Sequence, residues 1–190
     1  MSESIATQTV QILRRESRIT VLPNRRRFEA SLDRILGRGA SIGAGYAVLH
    51  IAVQSFSGTG CVSLRILNLV GNALRAGMQG GEVAYLGEAE FAVFLRDVDA
   101  QQAGLYARDV ATAISNFSLL WEDEMLSVSA SIGCVVGRDS QDGTSLLYQA
   151  IRASGVAAGK PGHKVHLVHA PALRPPRAEF QAAGAQPVFA

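Results

Sequence analysis

The sequence predicts an α+β fold, a mixed sheet with helices packed on it. Two observations carry this. Helix-spaced and strand-like apolar segments follow one another in the order helix, strand, helix, hairpin, helix, strand, helix, strand. The 190 residues are 48% hydrophobic and only 18% charged, which excludes a chain disordered throughout. A prior of roughly 150 residues per domain gives one domain plus extensions.

Each element has its own signal. Ile5, Val10, Ile12 and Leu13 make Ser4 to Arg15 a weakly amphipathic helix, so residues 1–16 read as a lead-in to a domain over 17–169. Pro23 breaks the chain, and Asn24 is a good N-cap for the helix carrying Phe28, Leu32, Ile35 and Leu36, which ends at Gly37. Tyr46 to Val53 is a nearly continuous apolar run, the mark of a strand buried on both faces. Leu64, Leu67, Val70, Gly71 and Leu74 recur at helical spacing and close at Gly77. Glu82 to Leu86 and Phe91 to Leu95 are strands joined by a connection of hairpin length. Ala100 to Phe117 is an alanine-rich helix, Leu126 to Val136 a strand, Thr144 to Ala158 a helix, and Val165 to Val168 a final short strand. Residues 170–190 hold Pro171, Pro175, Pro176 and Pro187 and read as an extended or flexible tail.

Composition removes several function classes. A formal charge of +2 argues against a large basic field, so no nucleic-acid duplex is expected as a partner. Cys61 and Cys134 are too few for a disulfide framework and read as small buried hydrophobes. The N-terminus lacks the apolar core of a signal peptide, and the longest apolar tract, Ala40 to Val53, is broken by His50 and too short to span a bilayer. A cytoplasmic protein without membrane insertion is expected. Gly58-Thr59-Gly60 is too short for a phosphate loop. His50, His163, His166 and His169 show no metal-type pairing with carboxylates along the chain, and Trp121-Glu122-Asp123-Glu124 reads as a solvated loop.

Three strings then carry a resemblance. Ile19-Thr20-Val21-Leu22-Pro23-Asn24-Arg25-Arg26-Arg27-Phe28, Ala84-Tyr85-Leu86-Gly87-Glu88-Ala89-Glu90-Phe91-Ala92-Val93, and Val128-Ser129-Ala130-Ser131-Ile132-Gly133 stand in order on matching elements. They resemble the opening stretch, signature hairpin and late strand of the GGDEF domain, the diguanylate cyclase module of bacterial cyclic-di-GMP signalling, from about Ser17 to Val168. The resemblance implies a nucleotidyl-cyclase, palm-like (ferredoxin-like) mixed sheet with flanking helices.

It also implies what the site should contain. In the family, carboxylates from two strands hold a divalent metal that neutralises triphosphate charge while a ribose 3′-hydroxyl attacks the α-phosphate. The matching positions here are Ala52 and Ala89, with Gln54 where a second aspartate commonly stands. The hairpin signature survives only as Gly87, Glu88, Ala89, Glu90 and Phe91, with a bulky anion at Glu88 where a glycine lets phosphates approach. Glu90 is then expected to be a solvated turn residue without a metal partner. No metal and no cofactor are expected. The guanine-reading loop after Phe56 lacks its lysine and Asn-Asp pair, and Asn72 stands at the Gly-Asp position. Ala158 replaces a phosphate-binding lysine, and Met78-Gln79-Gly80-Gly81 replaces the inhibitory Arg-x-x-Asp, with Arg75 one turn earlier. Arg26, Asn72, Lys160 and Lys164 remain as candidate nucleotide or phosphate contacts. For the arginine run and the lysine loop, a solvated basic face is the plainer alternative.

These losses point to a catalytically inactive, regulatory GGDEF-like module acting through protein contacts, with a protein partner or a homodimer expected. The amphipathic lead-in and the Pro171 to Arg177 stretch are the candidate contact segments. The alternative is a cyclic-di-GMP or GTP receptor with a remodelled pocket. Residual cyclase activity is disfavoured, because losses of charge stabilisation compound. Family analogy suggests motility, biofilm or exopolysaccharide control.

Overall fold

A computed structural model describes residues 22–37, 45–55, 62, 64–77, 81–121, 124–138, 142–159 and 164–170. The lead-in over 1–16, the tail beyond 170, Cys61, His163, Lys160 and most of the loop after Phe56 therefore lie outside the described residues. The elements are α1 (Arg25–Leu36), β1 (Tyr46–Ser55), α2 (Leu64–Ala76), β2 (Glu82–Gly87), β3 (Glu90–Arg96), α3 (Ala100–Ser115), β4 (Ser118–Trp121), β5 (Glu124–Gly137), α4 (Gly143–Ala158) and β6 (Val165–His169).

The sheet is mixed, as expected. Its order is β2-β3-β1-β5-β4, and β6 pairs with β5 in parallel while the other pairings are antiparallel. One element differs from the sequence expectation. Ser118–Trp121 is a strand forming a hairpin with the start of β5, and Trp121 pairs with Glu124. The α3 helix accordingly stops at Ser115, two residues short of Phe117.

Central β1 is buried on both faces, and its alternation divides the core. Ala47, Leu49, Ile51 and Val53 pack with apolar residues of α2 and α3. Tyr46 and Val48 pack with Phe28, Leu32 and Leu36 of α1 and Leu146, Leu147 and Ala150 of α4. Helices thus cover both faces. Side-chain caps fix three helix starts. Asn24 accepts from the Arg27 N–H at 3.1 Å, Asp142 accepts from the Ser145 N–H at 2.8 Å, and Asp99 forms a capping box with Gln102. Cys134 is a free thiol buried in the core, where desolvation pushes its pKa up to about 12, so it is an inert hydrophobe.

Candidate functional site

The site builds from register. Ala52 of β1 pairs with Glu90 of β3 on one side and Ser131 of β5 on the other. The Val53 N–H donates to the Ala89 carbonyl at 3.0 Å. The two positions expected to hold metal in a diguanylate cyclase therefore do converge from two strands. Both carry methyl groups, which offer no donor, so the residues at these two positions do not fit the metal the family would bind there. Gln54, two residues on, is exposed and pairs with Ser129.

The hairpin tip is strained. Gly87 pairs with Glu90 across a two-residue turn, and both turn residues have positive φ, 50° at Glu88 and 65° at Ala89. This is the sign pattern of a type I′ turn, which favours Asn-Gly or Gly-Gly. Glu88 and Ala89 carry Cβ atoms in a region where each costs roughly 1–2 kcal/mol. Glu88→Gly and Ala89→Gly are each expected to stabilise the fold by about 1 kcal/mol, read as a higher denaturant midpoint. A lower midpoint for both would show that these side chains hold the tip in place. Phe91, next along, is fully buried and anchors the hairpin, its ring 5.2 Å from that of Tyr85.

Glu90 differs from the solvated turn residue expected. Its Oε2 lies 3.3 Å from Nε2 of His50, a side chain only 1% exposed on β1. His50 is also held at its other nitrogen, with Nδ1 2.7 Å from Ser154 Oγ on α4. The Ser154 hydroxyl donates to the Ile151 carbonyl at 2.7 Å, so it accepts from the His50 Nδ1–H. Burial lowers the His50 pKa; the Glu90 charge and hydrogen bond oppose that shift, and Arg25 adds to it. Sequence spacing missed this pair because forty residues separate its members. The available signal was His50 itself, a polar residue in the middle of a doubly buried strand.

A second feature is a cleft of about 570 Å³ between α1, the end of α2 and the start of β2. Arg27, Arg34 and Arg75 line it, with Ser31, Gly81 and Glu82. Glu82 is engaged: Ser31 Oγ donates to its Oε1 at 2.6 Å, and Arg34 Nη2 donates to Ser31 Oγ at 3.0 Å. The first turn of α1 therefore turns Arg27, and not the expected Arg26, toward the cleft; Arg26 is exposed and outside its lining. Asn72 is exposed on α2, away from the cleft. Lys164 is half-buried before β6, its carbonyl accepting from the Ile132 N–H at 2.7 Å. Neither Asn72 nor Lys164 joins the arginines, and Lys160 lies outside the described residues. No described helix is long and apolar enough to cross a membrane.

Similar proteins share this architecture. Diguanylate cyclase SiaD from Pseudomonas aeruginosa, solved with its activator SiaC, superposes with a TM-score of 0.66 at 22% identity, over 88% of this chain and 67% of that one. The GGDEF domain of DgcB from Caulobacter crescentus, solved with cyclic-di-GMP, gives 0.65 at 19% identity, over 80% and 94%. The GGDEF domain of YfiN (TpbB) from Pseudomonas aeruginosa gives 0.64 at 26% identity, over 78% and 97%. No curated protein matches the chain. The family model for "Diguanylate cyclase, GGDEF domain" matches residues 18–158, well over half of the chain. With the sheet order, the signature hairpin and this match in agreement, the chain belongs to the GGDEF family, the domain of cyclic-di-GMP signalling proteins.

Proposed function

We propose that this chain is a regulatory GGDEF module that makes no cyclic-di-GMP and acts through contacts with another protein or a second copy of itself. The observation that carries this is that Ala52, which pairs with Glu90, and Ala89, whose carbonyl accepts from the Val53 N–H, put two methyl groups where the reaction needs carboxylates on metal. Glu88 adds an anion at the tip, where a triphosphate would have to approach. An intact core with its chemistry removed is a scaffold, and the exposed Leu69, Leu105 and Val156 on three helices provide apolar surface for contacts. The solved complex of SiaD with its activator is a precedent for such contacts in a relative. Exopolysaccharide or biofilm control is the process we assign by family analogy.

The expected result is no cyclic-di-GMP from GTP and magnesium above a no-enzyme control. Product that accumulates with the purified chain and disappears in Glu90→Gln would overturn this. Ala52→Asp with Ala89→Asp should not restore synthesis, because Glu88 and the altered loop after Phe56 remain.

The arginine cleft favours a second reading, a receptor for cyclic-di-GMP or GTP. Guanidiniums pair with phosphates and stack on bases, and Arg27, Arg34 and Arg75 converge on one opening. Calorimetry with each nucleotide separates the two. Heat that is lost in Arg75→Ala supports the receptor, and flat traces support the contact module.

A further inference from the structure

We propose that the apolar groove between α2 and α3 is the docking site for the chain's own lead-in, which seats Ile5, Val10, Ile12 and Leu13 there as one face of an amphipathic helix. Both helices cover the same face of the sheet, α2 against β2 and α3 against β5, β6 and β1. Between them a space of about 200 Å³ opens, walled by Val70, Ala73 and Leu74 of α2, by Tyr106 and Val110 of α3, and by Phe117 just beyond it. Tyr106, Val110 and Phe117 are only half-buried, and Ala73 is exposed. Leu69, one turn before Ala73, and Leu105, one turn before the groove residue Asp109, are 48% and 49% exposed. The described residues thus leave a connected apolar surface along this pair of helices without a covering element.

Where the chain enters and leaves the described fold selects the occupant. Leu22 packs against the core beneath α2 and α3 and stands beside Arg75 of α2. The next residue, Pro23, accepts at its carbonyl from the Tyr85 N–H of β2 at 2.9 Å. Residues before Leu22 therefore arrive at the sheet edge that α2 covers. Ala170 packs against the opposite core, beneath α1 and α4, so the tail beyond it leaves from the other face. Residues 16–21 link the apolar stripe to Leu22 and span at most about 20 Å, while α2 is a cylinder about 10 Å across. The lead-in can cross α2 and reach the groove.

Pattern, size and charge agree with this occupant. At helical spacing Ile5, Ala6, Val10, Ile12 and Leu13 share one face, and Thr7, Gln8, Gln11 and Arg14 share the other. A helix this short is marginal in water by itself and gains its stability from packing. A groove this small admits a few aliphatic side chains and does not supply the roughly 800 Å² per partner that a stable interface between copies buries. A tethered segment needs no such area, because a short linker holds it at an effective concentration on the order of mM. Asp109 is exposed and is the one charged residue among those described along the groove, and Arg14 and Arg15 follow the apolar stripe. Seated there, the helix covers apolar surface near Leu69 and Leu105, so a partner that uses this face must displace it. That consequence, unlike the docking itself, rests on the proposed function.

The test is hydrogen exchange on the purified full chain, read by mass spectrometry without nucleotide. Amides of residues 5–15 are expected to exchange about tenfold or more slower than in an unstructured peptide, equally at low and high protein concentration. Ala113→Glu, at an exposed position on the groove wall, should keep the fold and remove that protection. Val10→Glu with Leu13→Glu should remove it as well, and should increase binding of a fluorescent apolar dye at the uncovered groove. Tyr148→Glu, exposed on α4 across the sheet, should change nothing. Lead-in amides that exchange at the unstructured rate would overturn the docking. Protection that survives Ala113→Glu would also overturn it, by placing the helix on another surface. Protection that grows with protein concentration would do the same, by placing the helix on a second copy. Each of these failures leaves the proposed function standing, since neither cyclase chemistry nor a partner enters the measurement.

Discussion

Gly133→Ala is expected to abolish cooperative folding. Gly133 lies on β5 opposite His50, beneath α4. A Cβ there would fall inside the Ala150 carbonyl oxygen and the Ser154 nitrogen and stand 2.8 Å from the Ala153 carbonyl carbon. These are backbone atoms of one helix, so no side chain can swing aside. Relief requires α4 to lift from the sheet, which uncovers Leu146, Leu147 and Ala150 and pulls Ser154 from His50. Overpacking of this kind against rigid backbone should cost more than about 4 kcal/mol, against a total stability of about 5–15 kcal/mol for a domain. Far-UV circular dichroism on heating should show no sigmoidal transition for the variant. A midpoint within a few degrees of the parent would show that α4 can move at little cost. This contact also explains the glycine of the Ser-Ile-Gly string physically: the α4 and β5 backbones approach there too closely for a Cβ.

Phe28→Ala is expected to destabilise the protein by about 3–5 kcal/mol, the usual range for emptying a fully buried aromatic site. Phe28 has no exposed surface and packs α1 against β1, β3 and α4. At about 2–4 °C per kcal/mol for a domain of this size, the melting temperature should fall by about 6–20 °C. The consequence reaches the cleft, because α1 carries Arg27, Ser31 and Arg34 on its other side. If a nucleotide binds there, Phe28→Ala should weaken it although Phe28 lines no part of the opening. Phe28→Leu, which refills most of the volume, should recover most of the loss. A fall of less than 2 °C for Phe28→Ala would mean that the neighbours collapse into the space.

Much of the fold was legible because its signals are local. The apolar run of β1, the cap at Asn24 and the existence of the hairpin each follow from neighbouring residues, while the structure narrows its connection from the four residues 87–90 to the two residues Glu88 and Ala89. The missed strand β4 shows the limit. Ser118–Trp121 follows directly from a helix, and the two residues that separate it from β5 in sequence, Glu122 and Asp123, include neither glycine nor proline, so no punctuation announced it. Arg26 was preferred over Arg27 for a related reason, since a run of arginines gives no phase until the helix is placed against its neighbours.

The sequence by itself determined the family, the element order apart from β4, and the absence of carboxylates at Ala52 and Ala89, because those depend on residue identity and short-range spacing. Only the tertiary structure decided that Ala52 and Ala89 adjoin, that three arginines from two helices share a cleft with β2, and that His50 meets both Ser154 and Glu90. Those facts depend on strand register and on where helices land on the sheet. Register is set by the summed fit of a whole buried face, a property carried by no single residue, and a slip of one position would turn His50 to the opposite face.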